Sequence, residues 1–142
     1  MYKDFEFFDK PINVVAHRGD SKYYPENSEI AFKSAIELGV DIIETDVHIS
    51  SDGVIFVWHD ENTKKLDGDE NLVSTRSWAE LSELDLGFLY IDKEGKRTFS
   101  SKGIRLMTFE EVLINFPNTR FNVDLKDKQP QIVTGMLDLL KK

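Results

Sequence analysis

The chain has 142 residues, no cysteine, 18 basic and 26 acidic side chains, and therefore a formal net charge of −8. This length suits one domain or part of a larger one, and a hydrophobic content of 40% with ten phenylalanines supports a folded core. The acidic balance argues against nucleic acid or an anionic membrane surface as the main partner. The lack of cysteine excludes a disulfide scaffold and a thiolate metal site.

Targeting signals are not apparent in the sequence. No apolar run approaches the roughly 18–20 residues of a membrane span. Residues 1–6 contain no apolar stretch after a basic start, so we expect no signal peptide and a cytoplasmic location. Phe5, Phe7 and Phe8 are expected to pack on the bottom of the fold.

The first two predicted elements are a strand and a helix. Residues 12–16 are mostly apolar and predict a short buried strand. A helix is predicted over residues 28–38, where Asn27 or Ser28 can cap its start and Gly39 stands just after its end.

Two further strands follow closely. Residues 41–49 alternate between apolar and polar side chains, and residues 54–58 are wholly apolar. The Asp52-Gly53 turn between them is too short for a helical crossover, which needs roughly a dozen residues, so we predict an antiparallel pair. With a two-residue turn, Asp46 lies opposite His59, at about 5 Å between Cβ atoms.

The rest of the chain adds helices and one more strand. Residues 61–105 are polar and interrupted by glycines, with one short helix that begins at the capping box of Ser77. A second capping box at Thr108 opens another helix, and a strand over residues 120–126 and a helix over residues 131–140 follow. This order predicts an α/β fold with at least some parallel strands.

Polar side chains collect where the predicted strands end, which is where α/β barrels keep their active sites. They are His17, Arg18, Glu44, Asp46, His59, Asp124 and Lys126. The three carboxylates are hard oxygen ligands suited to Ca²⁺ or Mg²⁺, and the two histidines suit proton transfer near neutral pH. With an arginine and a lysine to hold an anion, this combination suits a phosphodiester better than a peptide or a sugar.

Some of these residues also have a purely structural interpretation. Asp124 and Lys126 could be a surface ion pair of little energetic value. His48 lies on the same strand face as Asp46, and we expect it to be structural or exposed at an edge. The charged loop over residues 61–72 is most simply a solvated surface.

A series of short motifs stands in a fixed order from about residue 13 to residue 127. They are His17-Arg18-Gly19, Pro25-Glu26-Asn27-Ser28, Glu44-Thr45-Asp46-Val47, Asp52-Gly53, His59-Asp60, Ser77-x-x-Glu80-Leu81, Thr108-Phe109-Glu110-Glu111-Val112-Leu113 and Asn122-Val123-Asp124-Leu125-Lys126. Each motif alone is weakly specific. Their order and spacing together resemble the glycerophosphodiester phosphodiesterase family.

The resemblance implies a distorted (β/α)₈ barrel of the TIM type. Residues 1–142 would be the N-terminal portion of the catalytic domain, and residues 61–105 a small insertion after the strand that ends at His59. The implied reaction is hydrolysis of a small glycerophosphodiester to glycerol 3-phosphate and an alcohol, with Ca²⁺ or Mg²⁺ as cofactor.

The resemblance also implies a role for each motif residue. His17 and His59 would be the catalytic acid/base pair. The metal ligands would be Glu44, Asp46 and Asp124, the last of which stands where the family usually has glutamate. Arg18 would bind the phosphate, and Lys126 would bind either the phosphate or a ligand carboxylate. Glu26 and Asn27 would support the loop after the first strand, where Glu26 could also lie near the metal.

Two other functions remain open at this stage. The chain could be an inactive half-barrel that binds a metal or a partner, or a related phospholipase-type phosphodiesterase. A complete barrel needs about 250 residues, so the four predicted strands are expected to be its first half. The open edges of the first and fourth strands would then be covered by a missing C-terminal half or by a second copy.

Overall fold

A four-stranded sheet lies at the centre of the computed structural model, which describes residues 13–141. Its strands are β1 (Val15–His17), β2 (Ile42–Ile49), β3 (Ile55–Val57) and β4 (Phe121–Leu125). The expectations for residues 1–12, which concern the signal peptide and the packing of Phe5, Phe7 and Phe8, lie outside the described residues.

The helices follow the predicted order with boundaries shifted by a few residues. They are α1 (Glu29–Glu37), α2 (Lys64–Asp67), α3 (Trp78–Leu81), α4 (Phe109–Asn115) and α5 (Pro130–Leu139). Short 3₁₀ turns lie at Val73–Thr75 and Leu86–Leu89. The sequence did not indicate α2 or the two 3₁₀ turns, because segments of three or four residues are too short to show a helical period. Within residues 13–141, no helix is both long and apolar enough to span a membrane.

The central strand, β2, organises the whole sheet. β1 and β4 pair with it in parallel, whereas β3 pairs with it in antiparallel orientation. β4 occupies one edge of β2 from Ile43 to Val47, so β1 and β3 share the opposite edge, one after the other. The predicted α/β half-barrel is confirmed. The strands β1, β2 and β4 run parallel, and β3 is antiparallel because the turn before it holds no crossover helix.

The hairpin between β2 and β3 confirms the predicted antiparallel pairing, but the predicted register is wrong by one residue. The Ser50 N–H donates to the Val54 carbonyl at 2.9 Å, so the loop has three residues and ends at Gly53, whose φ of 86° is left-handed. Trp58 therefore lies opposite Asp46, and its N–H donates to the Asp46 carbonyl at 3.0 Å. His59, the predicted partner of Asp46, lies one position beyond the observed partner.

Two hydrophobic clusters meet at β3, because successive side chains of a strand point to opposite faces. Ile55 and Val57 belong to the cluster between the sheet and α1, α4 and α5. Phe56 and Trp58 belong to a second cluster with residues from the segment 61–105, such as Leu86. The wholly apolar sequence of β3 is explained by burial on both faces.

Side-chain caps define where α1 and α4 begin. The Ser28 hydroxyl accepts from the Ala31 N–H at 3.2 Å, so Ser28 caps α1. The predicted capping box at Thr108 is present, since its hydroxyl accepts from the Glu111 N–H at 3.1 Å and the Glu111 carboxylate accepts from the Thr108 N–H at 2.7 Å. These bonds fix where α4 starts beneath the sheet.

Replacing Thr108 by alanine removes one half of this box, so Thr108→Ala should lower the free energy of unfolding by about 1 kcal/mol. Urea denaturation followed by circular dichroism measures the change. Thr134→Ala, on the exposed side of α5, is the matched control and should stay within about 0.5 kcal/mol of the wild type. Equal effects of the two substitutions would contradict the capping role.

Candidate active site

One face of the sheet carries polar side chains at the carboxyl ends of the parallel strands. His17 of β1 is the register partner of Glu44 in β2, and Asp46 of β2 is the register partner of Asp124 in β4. Register partners in parallel strands point to the same face, and residues two apart in a strand do so too. The structure therefore brings these four predicted site residues to one surface.

Asp46 is the most deeply buried member of this surface, with a side chain only 1% exposed. Lys126 Nζ lies 3.0 Å from its Oδ1, and Arg18 Nε lies 3.0 Å from its Oδ2. Asn27 Nδ2 donates a hydrogen bond to Oδ2, at 3.1 Å. Both carboxylate oxygens are thus paired, which makes the burial of this charge tolerable.

The same contacts shift two pKa values. Burial alone would raise the pKa of Asp46, but the hydrogen bonds from Lys126 and Asn27 and the charge of Arg18 outweigh it, so this pKa lies below its ordinary value. The hydrogen bond to Asp124, together with that to Asp46, raises the pKa of Lys126 despite its partial burial. Both groups are therefore charged at neutral pH.

The turn after β1 aims Arg18 at Asp46. Arg18 has a φ of 59° and Gly19 a φ of 79°, so two successive residues adopt the left-handed region that favours glycine. A Cβ on Gly19 would also lie 2.8 Å from the Ala31 backbone. Arg18 Nη1 donates to both carboxylate oxygens of Glu26, at 3.0 and 3.1 Å, so one guanidinium joins Glu26 to Asp46.

Asn27, expected to support this loop, makes a specific pair of hydrogen bonds. Its side chain is buried, its φ is 56°, and its Oδ1 accepts from the Thr45 hydroxyl at 2.8 Å. Its amide nitrogen donates to Asp46, as described above. Asn27 therefore links the loop before α1 to two neighbouring residues of β2.

The two predicted catalytic histidines have different surroundings. The His17 side chain is 67% exposed, and its Nε2 lies 3.8 Å from Glu44 Oε2. His59 Nδ1 lies 2.7 Å from Asp60 Oδ1, and Asp60 Oδ2 lies 2.7 Å from Lys65 Nζ. Burial raises the pKa of Asp60, but the hydrogen bonds with Lys65 and His59 lower this pKa by more than burial raises it. Asp60 is therefore a carboxylate.

Sequence reasoning assigned no role to Asp60, although it directly follows His59 in the chain. Because its carboxylate accepts from Nδ1, the His59 ring is held with Nε2 as the nitrogen available for proton transfer. The adjacency of histidine and aspartate was the signal that could have indicated this arrangement.

His59 stands between two open grooves. One groove reaches Glu26 and is lined on its apolar side by Trp58, Tyr90 and Ile91. The other groove reaches Lys126. His59 thus lines one groove together with Glu26 and a second groove together with the lysine that follows β4.

The three predicted metal ligands share a face of the sheet, but their oxygen atoms do not converge on one point to form a coordination site. Lys126 Nζ stands between Asp46 and Asp124, at 3.0 Å from one carboxylate and 2.7 Å from the other. Glu44 Oε2 accepts from the Arg18 N–H at 3.3 Å. Over residues 13–141, no three histidine, cysteine, aspartate or glutamate side chains are grouped as a metal site.

Two structural interpretations can now be judged. Asp124 is 55% exposed, but its partner Lys126 also reaches the buried Asp46, so this is more than a surface ion pair. His48 was expected to be structural or edge-exposed. It is only 4% exposed, which supports the structural alternative.

Comparison with known proteins gives one consistent result. A sequence model of the glycerophosphoryl diester phosphodiesterase family matches residues 17–141. The chain is 39% identical over 115 residues to a glycerophosphodiester phosphodiesterase of Caldanaerobacter subterraneus subsp. tengcongensis, an alignment that covers 80% of this chain and 44% of that protein. It is 32% identical over 128 residues to the Homo sapiens protein named lysophospholipase D GDPD1, covering 90% of this chain and 40% of that one.

The fold is also similar to that of an Oleispira antarctica phosphodiesterase solved in complex with the product sn-glycerol-3-phosphate. The TM-score is 0.75 at 27% identity, and the match covers 92% of this chain and 52% of that one. The chain therefore spans less than half the length of the two curated relatives described above, and about half of this solved structure.

Removing the ammonium of Lys126 tests the charge network around Asp46, which is formed by Arg18, Asn27 and Lys126. Lys126→Met leaves one oxygen of the buried Asp46 without its partner, so the free energy of unfolding should fall by about 1–3 kcal/mol. In an Asp46→Asn background the same substitution should cost less, because the two residues interact directly. Lys141→Met, which breaks an exposed pair with Asp138, is the control and should change stability by less than about 0.5 kcal/mol.

Acid should weaken the same network. Because the folded-state pKa of Asp46 lies below its ordinary value of 3.8, its stabilising contribution is present above that pH and is lost as the pH falls through the lowered pKa. The difference in unfolding free energy between wild type and Asp46→Asn should therefore shrink below about pH 4. A difference that stays constant from pH 6 to pH 3 would contradict this assignment.

Proposed function

The chain belongs to the glycerophosphoryl diester phosphodiesterase family, and on this basis we propose that it supplies the acid/base and phosphate-binding groups of a glycerophosphodiester hydrolase. The products would be glycerol 3-phosphate and an alcohol. The observation that carries the proposal is that His17, Glu44, Asp46 and Asp124 share one sheet face at the carboxyl ends of the parallel strands.

The proposed reaction uses the two histidines in turn. One histidine removes the proton from a glycerol hydroxyl, which attacks phosphorus, and the other protonates the alkoxide that leaves. Water then opens the resulting cyclic phosphate to give glycerol 3-phosphate. Because Asp60 engages Nδ1 of His59, Nε2 is the atom that would exchange the proton at this residue.

The net charge of the cluster bears on phosphate binding. Arg18 and Lys126 contribute two positive charges, whereas Glu26, Glu44, Asp46 and Asp124 contribute four negative ones, a formal surplus of two negative charges (2 − 4 = −2). A phosphodiester is itself an anion and would be repelled by this surplus. The proposed contacts of Arg18 and Lys126 with the phosphate therefore call for an additional cation.

A divalent cation fits this requirement in charge and in ligand chemistry. Glu44, Asp46 and Asp124 offer hard oxygen atoms and would hold Ca²⁺ or Mg²⁺, with Lys126 giving up its contact with Asp46. Such an ion stabilises negative charge on the phosphoryl oxygens and makes the attacking hydroxyl more acidic. Asp124 is one methylene shorter than the glutamate usual in the family, so it reaches less far from β4.

The segment 61–105, proposed as an insertion in the catalytic domain, forms one wall of the groove beside His59. Leu89, Tyr90 and Ile91 line this wall, and the Tyr90 hydroxyl donates to the Lys22 carbonyl across the groove at 3.4 Å. We propose that the alcohol part of the substrate lies here. The apolar lining also favours a second candidate substrate, a lysophospholipid, in line with the name of the Homo sapiens relative.

Partners other than the substrate, and the location of the protein, stay predictions. Within the described residues, β4 pairs only with β2, so its outer edge has no strand partner among residues 13–141. A second copy of the chain or a further barrel segment would complete the pairing at this edge. The cytoplasmic location expected from the sequence is not tested by the fold.

Activity assays distinguish the candidates. We expect release of glycerol 3-phosphate from glycerophosphocholine with Ca²⁺ or Mg²⁺, and loss of that release with a chelator. His17→Ala and His59→Ala should each lower kcat by about 100-fold or more, because each removes a proton-transfer group. Asp138→Asn, on an exposed helix face, is the control and should leave kcat unchanged.

Lysophosphatidylcholine is assayed in parallel as the second substrate. Faster turnover of this lipid than of glycerophosphocholine would favour the phospholipase-type alternative. Near wild-type turnover in either histidine variant would contradict the acid/base assignment. A folded, metal-loaded chain that hydrolyses neither substrate would point to the binding role instead.

A further inference from the structure

A buried histidine connects two loops that carry proposed functional groups. His48 of β2 has a side chain that is only 5% exposed. Its Nδ1 lies 3.1 Å from Asp127 Oδ2, and its Nε2 lies 3.3 Å from the backbone carbonyl oxygen of His59. The ring also stacks on Phe56, with ring centroids 6.2 Å apart and an interplanar angle of 29°. The proposed reaction assigns no role to this residue.

Asp127 ties the loop after β4 to the end of β2. Its Oδ2 accepts from the Ile49 N–H at 2.7 Å as well as facing the His48 ring. The preceding residue, Lys126, donates its own N–H to the Val47 carbonyl at 3.0 Å. Together these contacts hold the backbone of Lys126 beside β2, although β4 itself ends at Leu125.

The loop after β3 is held from the other side of the same ring. β3 ends at Val57, so His59 lies past the regular strand. Asp60 fixes the His59 ring through Nδ1, whereas His48 contacts the His59 main chain. The two contacts thus restrain different parts of the same residue.

We propose that His48 and Asp127 are positioning residues that hold the His59 loop and the Lys126 loop at a fixed separation. The catalytic meaning of this link rests on the proposed function, whereas the link itself is defined by the geometry alone. Acid/base groups act only when held within about 0.5 Å of their productive position, and loops beyond strand ends need such side-chain support.

The chemistry of the two contacts suggests a discriminating pair of substitutions. A carboxylate oxygen and a carbonyl oxygen are both acceptors, so a neutral ring donates to one of them and a protonated ring donates to both. An asparagine amide nitrogen reaches the place of Nδ1, and a glutamine amide nitrogen reaches the place of Nε2. His48→Asn therefore retains the bond to Asp127 and loses the bond to His59, whereas His48→Gln retains the bond to His59.

The test compares these two variants in the 142-residue chain by NMR and by kinetics. In His48→Asn, the ring and backbone resonances of His59 should shift, and kcat should fall by about tenfold to a hundredfold with KM unchanged. In His48→Gln, the His59 resonances and kcat should stay close to the wild type. Asp127→Ala should shift the backbone amides of Ile49 and Lys126, and Asp138→Asn should shift none of these signals.

Three results test the His48 link and the proposed function separately. Equal His59 shifts in the asparagine and glutamine variants, or none in either, would overturn the proposal. If the wild type hydrolyses no phosphodiester, the proposed function fails, and the His59 resonances still show whether the link exists. If His48→Asn does not fold, Asp127→Ala decides: unmoved amides of Ile49 and Lys126 would overturn the link.

Discussion

The buried carboxylate of Asp46 is the constraint on which the rest of the site depends. A carboxylate in the interior is costly unless each oxygen is paired, and the cost of leaving it unpaired is several kcal/mol. Its partners come from three separate segments: Arg18 after β1, Asn27 before α1, and Lys126 after β4. The fold must therefore bring these segments together. The left-handed turn at Arg18 and Gly19 is one local consequence of this requirement.

The same network bears on the proposed binding of an anionic substrate, which would need an additional cation. The two cations of the site are already paired with carboxylates, Arg18 with Glu26 and Asp46, and Lys126 with Asp46 and Asp124. An incoming phosphate competes with these carboxylates for the same positive charges. A divalent ion would relieve that competition, because the carboxylates would bind the ion instead of the side-chain cations. In the proposed function, phosphate binding and ion binding would therefore be linked, and the link would run through Lys126, which contacts two of the three proposed ligands.

The sequence predicted those features that depend on local chemistry, and missed those that depend on exact lengths or distant contacts. Alternation along β2 placed Glu44 and Asp46 on one face, and the capping box at Thr108 located the start of α4. The hairpin was recognised from Asp52-Gly53, but its loop contains one more residue than predicted, and one residue is enough to displace His59 from Asp46. The contact between His48 and Asp127 spans 79 residues of sequence, so no local sequence pattern predicts it.

The position of His59 depends on more than the sheet. β3 is only three residues long, and its alternate side chains enter two different hydrophobic clusters, one beneath the sheet and one built from the segment 61–105. Loss of either cluster would expose half of β3 and release the strand that leads to His59. The packing of Phe56 and Trp58 against the segment 61–105 therefore does more than stabilise a surface region. It holds one side of the proposed site, while the charge network around Asp46 holds the other.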